Sequence, residues 1–205
     1  MKFEAGHVYH VYNQGNNKQK IFFNHEDYVA FLKLGKEYII PNGDLLAWCL
    51  LPNHFHFMIS SNENSVKPHK QGNLIIEKLT NGFRKLLSAY AHDFNKRNNR
   101  SGSLFRPKTK AKDLSVQQLK EAYTNNDYYI NCFYYIHQNP LRHNLVKDLR
   151  EWKYSSFKLY SGERQKDMCN KQLAREICDY NDATFLNIVY NRIPDQFLDF
   201  FEEDS

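Results

Sequence analysis

A chain of 205 residues, 41% apolar and 25% charged, is long enough for one catalytic domain with a real core plus an appendage, and too short for two full domains. The net charge of +5 hides an asymmetry: residues 1–160 hold 23 Lys/Arg against 13 Asp/Glu, whereas residues 161–205 hold 5 against 10, so a basic body that suits a polyanionic partner carries an acidic C-terminal extension of unknown role. Four cysteines without C-x-x-C spacing, no apolar leader and no run near the ~18 apolar residues of a membrane span argue against a disulfide framework and a membrane protein, and place the chain in the cytoplasm.

His7 to Tyr12 has the β-branched and aromatic content of a first strand, closed by the turn cluster Asn13 to Asn17. Asn24 followed by Glu26 and Asp27 predicts a capped helix whose apolar positions, from Tyr28 through Phe31 and Leu32, keep helical period up to Pro41. The runs Leu45 to Leu51 and Phe55 to Ser60, parted by Pro52-Asn53, predict a hairpin with His54 and His56 opening its second strand. Residues 61–72 are polar, contain Pro68 and Gly72, and predict a loop. From Leu74 to Phe94 apolar residues recur at three- and four-residue steps, predicting a long amphipathic helix.

Between Arg84 and Lys112 nine basic residues face the single Asp93, with Phe105 embedded among them. A third helix is expected from about Ser115 to Pro140, where the missing amide proton ends or kinks it. Trp152 to Phe157 reads as a packed connection, and the chain after Gly162 is weakly patterned. No internal repeat or low-complexity tract is visible. The order strand, helix, two strands, helix, strand, helix predicts an α+β fold, ferredoxin-like or RNA-recognition-like, with a mostly antiparallel sheet and helices on one face.

The chemistry-bearing residues fall in two segments. On a strand, His54 and His56 share one face with Met58, while Phe55, Phe57 and Ile59 take the other. Two imidazoles with the Asn139 carboxamide leave positions open on a divalent ion for phosphate oxygens, which suits Mg²⁺ or Mn²⁺ acting as a Lewis acid, with zinc as a competitor. One helical turn sets Tyr135 beside Asn139; Tyr134 and Gln138 share that spacing, and periodicity does not choose between them. A tyrosine attacking a phosphodiester in line gives a 5′-phosphotyrosine and a free 3′-hydroxyl, a transesterification that retains the bond energy for rejoining.

Leu51-Pro52-Asn53-His54-Phe55-His56, Tyr135-Ile136-His137-Gln138-Asn139-Pro140-Leu141-Arg142 and Trp152 to Phe157, together with Tyr9 to Asn17 and Gly102 to Arg106, resemble the single-tyrosine HUH transposases. The match is closer to the REP-associated tyrosine transposase branch, and it covers about residues 5–160. The resemblance implies an HUH endonuclease domain over residues 1–160, His54 and His56 as metal ligands and Tyr135 rather than Tyr134 as nucleophile. It also implies Asn139 as third ligand, where the insertion-sequence branch has the longer glutamine.

The implied partner is single-stranded DNA with hairpin-forming repeats. Arg84, Lys85, Arg100, Arg106, Lys108 and Lys110 would track its backbone, and Phe105 would stack a base. Insertion-sequence members act as homodimers that complete each other's sites, and repeat-associated members also occur as monomers. The expected activity is metal-dependent strand cleavage and transfer in DNA transposition or repeat mobilisation. The alternatives are a replication initiator or relaxase of the same chemistry, and a regulatory protein that binds hairpins without cutting.

Overall fold

The computed structural model describes residues 1–116 and 123–202, apart from the side chain of Gln71. Four strands, β1 (Val8–Gln14), β2 (Asp44–Leu51), β3 (His54–Ser60) and β6 (Lys110–Asp113), form an antiparallel sheet in the order β2-β3-β1-β6. Helix α1 (His25–Tyr38) links β1 to β2, and α3 (Lys78–Arg97) stands between β3 and β6. This is the β-α-β-β-α-β order of a ferredoxin-like domain. Asn24 and Asp27 close a reciprocal capping box at the start of α1, as the local sequence predicts. Gly82 lets α3 reach the end of α1, because a Cβ there would run into the Tyr38 carbonyl oxygen.

Alternation along the strands sorts side chains between two cores. Phe55, Phe57 and Ile59 of β3 join Tyr9, Val11, Trp48 and Leu50 against α1 and α3, which contribute Phe31, Phe83, Leu86 and Tyr90. The expectation of helices on one face holds for this pair. The opposite face is covered as well, by α4 (Asn125–Arg142) and the C-terminal segment, so the imidazoles of His54 and His56 are buried.

Helix α4 starts at a capping box between Thr124 and Asp127. The part of the expected third helix that falls on 117–122 lies outside the described residues. Pro140 neither ends nor caps this helix, which runs on to Arg142, since a proline in the last turn forfeits one backbone hydrogen bond that a buried helix can spare.

Two further differences concern residues 61–77. The predicted loop contains a short helix, α2 (Glu63–Val66), and a hairpin of β4 (Pro68–Gln71) with β5 (Leu74–Glu77). Leu74 and Ile75, expected on the apolar stripe of the long helix, belong to β5 and are exposed at 48% and 67%. The weakly patterned end of the chain also folds: α5 (Phe157–Tyr160), α6 (Lys171–Cys178), α7 (Phe185–Ile188) and α8 (Asp195–Glu202) pack with α4 in one core through Phe157, Tyr160, Phe185, Phe197 and Phe201. Trp152 to Ser156 runs along β2 with Leu50 N donating to Tyr154 O (2.9 Å) and Ser156 N to Trp48 O (2.9 Å), the packed connection that its sequence predicts. Cys49, Cys132, Cys169 and Cys178 are all free thiols, and no described helix is long and apolar enough to cross a membrane.

Candidate active site

A cavity of about 460 Å³ opens between β1, β3 and the C-terminal half of α4, lined by His54, His56, Tyr135, Arg142, His143 and Glu202. Gln14, Lys18, Asn53, Arg106, Lys108 and Lys110 line it too. The His54 and His56 rings lie 4.9 Å apart, and His56 meets the Tyr135 ring edge-on at 5.6 Å. Strand alternation places the histidines and helix α4 brings the tyrosine over them, so two segments about eighty residues apart in sequence meet within a single chain.

The hydrogen bonds around the histidines fix which nitrogens are free. Asn53 points its Nδ2 toward Lys18 O, so its Oδ1 accepts from His54 Nδ1 at 2.6 Å, and the neutral ring keeps its lone pair on Nε2. His56 Nδ1 is bonded to His10 Nε2 at 2.9 Å, and His56 Nε2 is buried without a partner among the described residues. Burial lowers the His54 pKa to about 3, with the neighbouring His143 adding to the shift, and holds His56 well below the usual histidine range. Both rings are therefore neutral, the state in which an imidazole binds a metal.

Asn139 lies one turn beyond Tyr135, wholly buried and outside the cavity lining. Its Nδ2 donates to Tyr135 O at 2.9 Å and its Oδ1 has no partner among the described residues. The two imidazoles offer nitrogen donors of the kind a divalent cation takes, whereas the Asn139 carboxamide lies outside the cavity that they line. Among the described residues no group of three or more His, Cys, Asp or Glu is placed to hold a metal, so an amide or substrate oxygens would have to complete the shell.

The tyrosine pair separates by environment. Tyr134 stacks on Phe185 in the C-terminal core, and its neighbour Gln138 donates to Val189 O and Asn191 O, both at 2.8 Å, which ties the last third of the chain to α4. Tyr135 faces the cavity histidines, with the Arg142 guanidinium 5.8 Å from its ring centre. Tyr135 is only 2% exposed, because Phe201 packs on its ring at 5.1 Å and Glu202 of the same helix pairs with Arg142 at 2.5 Å. Burial, with Glu202 adding and Arg142 opposing, pushes its phenol well above the usual tyrosine range.

The seven expected DNA contacts do not form one surface. Arg106, Lys108 and Lys110 line the cavity. Arg84 and Lys85 sit on the exposed side of α3, beyond the opposite face of the sheet, where Lys85 lies over the Tyr38 ring. Arg100 donates to Asn95 Oδ1 and Gln19 Oε1 and so braces the end of α3. Phe105 is corrected from a stacking platform to a core residue: at 6% exposure it packs on Phe31, Phe55 and Tyr90, and the flanking Gly15–Phe105 bridge holds the basic segment beside β1. Lys18 and His143 line the cavity and His10 bonds to His56 from behind it, and the sequence reading assigns none of the three a role. Only the strand alternation of His10, one diagonal step from His56, could have suggested one.

The fold and site define an α+β protein whose antiparallel sheet carries a cationic, histidine-lined cavity under a helix-borne tyrosine. No family model matches the sequence, and no curated protein does. Among solved structures, a REP-associated tyrosine transposase bound to a REP hairpin aligns over 82% of this chain and 86% of its own, with a TM-score of 0.52 at 16% identity. This chain has the fold of that protein. A bacterial tRNA(His) guanylyltransferase-like protein in complex with GTP aligns over 72% and 73% with a TM-score of 0.36 at 9% identity, too distant to inform the site.

Proposed function

We propose that the protein is a metal-dependent endonuclease and strand transferase for single-stranded DNA with hairpin-forming repeats, working through a 5′-phosphotyrosine on Tyr135. The observation that carries the reading is the unpartnered His56 Nε2, buried in a basic cavity against a tyrosine. His54 and His56, with Asn139 or substrate oxygens, would hold Mg²⁺ or Mn²⁺. Such an ion supplies Lewis-acid polarisation of a phosphate and stabilises charge on a departing oxygen.

The chain's own residues account for the rest. Lys18, Arg106, Lys108 and Lys110 form a cationic wall on which a phosphate backbone can lie. Tyr135 loses its phenolic proton and its oxygen bonds to phosphorus as the bond to the 3′-oxygen breaks; the departing oxygen takes a proton and leaves as a 3′-hydroxyl. Arg142, stacked on the Tyr135 ring, favours the phenolate once its pairing with Glu202 is released. Nucleophile and histidines meet within one chain, which supports a reading in which each subunit supplies its own nucleophile.

The close cover of Phe201 on Tyr135 favours a second reading, a hairpin-binding protein that does not cut. One experiment separates the two. Purified protein is incubated with a labelled single strand carrying a hairpin repeat from beside its own gene, in Mn²⁺ or Mg²⁺, and resolved under denaturing conditions. A metal-dependent protein–DNA adduct that disappears in Tyr135→Phe supports the transferase; tight binding without adduct in either metal supports the binding protein.

A further inference from the structure

His10 lies on β1, diagonal to His56 across the β1–β3 pairing, and is fully buried. The two imidazoles are close to coplanar, 19° apart, and joined by the 2.9 Å bond between His10 Nε2 and His56 Nδ1. Each outer nitrogen, His10 Nδ1 and His56 Nε2, is buried without a partner among the described residues. Two neutral rings sharing one bond proton have one more proton to place, and it must sit on one of those two outer atoms. If His10 donates to His56, the extra proton occupies His56 Nε2 and closes it to a cation. If His56 donates to His10, the proton moves to the far side of His10 and His56 Nε2 keeps a bare lone pair.

We propose that His10 is a positioning residue for the cation site: it accepts the proton of His56 Nδ1, fixing the ring's orientation and the tautomer that can bind a metal through Nε2. The inference rests on the metal reading above and deepens it. His54 has a matching support in the Asn53 carbonyl oxygen, so with His10 as acceptor both proposed ligand histidines are braced at Nδ1, the nitrogen opposite the one offered to the ion. Such outer partners fix ring orientation, and removing one typically weakens a metal about 10–100-fold. The packing around His10, edge-on to Tyr135 and Phe201 and stacked on Tyr12, holds the ring in place without supplying a second acceptor.

The test is Mn²⁺ affinity of the full chain without DNA, followed by calorimetry and by loss of the free-ion electron paramagnetic resonance signal, in wild type, His56→Ala, His10→Phe and His10→Gln. The expected result is loss of binding in His56→Ala, affinity about 10–100-fold weaker in His10→Phe, which keeps the ring's shape without an acceptor, and recovery of most of it in His10→Gln, which restores a carbonyl oxygen. Wild-type affinity in His10→Phe, or His10→Gln no better than His10→Phe, overturns the role of His10 while leaving the metal site standing. Wild-type chain that fails to bind Mn²⁺ at His56 overturns the metal reading and this inference together. Should His10→Phe not fold, the imidazole nitrogen spectrum of Zn²⁺-loaded wild type decides: a proton on His56 Nδ1 shared with His10 supports the proposal, and one on Nε2 overturns it.

Discussion

On one side of the sheet β3 presents Phe55, Phe57 and Ile59 to α1 and α3; on the other the same strand presents His54, His56 and Met58 to α4. The first side is a ring-on-ring core in which nearly every buried polar atom is paired, Asn81 Oδ1 on α3 being an exception. The second buries His10, His56, Tyr134 and Asn139 with polar atoms left unpartnered. A buried polar atom left unsatisfied costs about 1–3 kcal/mol, so these atoms call for a water or a ligand to meet them. On the function proposed above, one face supplies rigidity and the other holds the lone pairs and the phenol of the site.

The comparison can be broken most sharply at the cavity face. Tyr135→Phe is expected to bring covalent adduct below detection while DNA binding stays near wild type, measured by denaturing gel and by anisotropy; adduct retained in that variant shifts the nucleophile to Tyr134. His56→Ala should also lose cleavage, as should addition of a chelator, yet cost far less stability than Phe57→Ala on the other face. Phe57→Ala is expected to destabilise the fold by about 3–5 kcal/mol in urea unfolding, by loss of a fully buried ring.

Acid should act through the cavity face and α4. Burial lowers the pKa of His10, His54 and His137 from 6.5 to about 3, so the unfolded chain binds more protons between those values. Their contribution is intact above pH 6.5 and falls progressively toward pH 3, which pH-dependent thermal midpoints would show as a steady decline.

The smallest effects distinguish the two basic surfaces. Losing Lys108 or Arg106 should weaken single-strand binding and reduce the slope of log affinity against log salt by about 0.7 each. Arg84→Ala and Lys85→Ala, beyond the opposite face, should leave both unchanged.

Much of this was legible in the sequence because it depends on short-range pattern. Alternation in His54 to Ser60 gave the two faces, the Asn24–Asp27 pair marked α1, and the spacing of Tyr135 and Asn139 put both on one side of a helix. What stayed hidden depends on distant partners. Lys110–Asp113 is a four-residue edge strand with three charged residues, and such edges carry little apolar signal. Phe105 sits in a basic run that reads as solvated, yet it is pulled into the core by its bridge to Gly15. Helices α5 to α8 are short, and their apolar residues gain meaning only against α4, through Phe185 and Phe201. Spacing alone could not separate Tyr134 from Tyr135; their different surroundings come from the C-terminal segment packing on one side of α4 and the sheet on the other.

The central claim, that Tyr135 on the histidine face becomes joined to the 5′ end of a cut strand, is tested most directly by label polarity. A hairpin-bearing single strand labelled at its 3′ end in one sample and its 5′ end in another is incubated with protein and Mn²⁺. The account predicts that the 3′-labelled fragment migrates with the protein, that the modified peptide contains Tyr135, and that the 5′-labelled fragment is released with a 3′-hydroxyl. Protein attached to the 5′-labelled fragment, or both fragments released free, would contradict it.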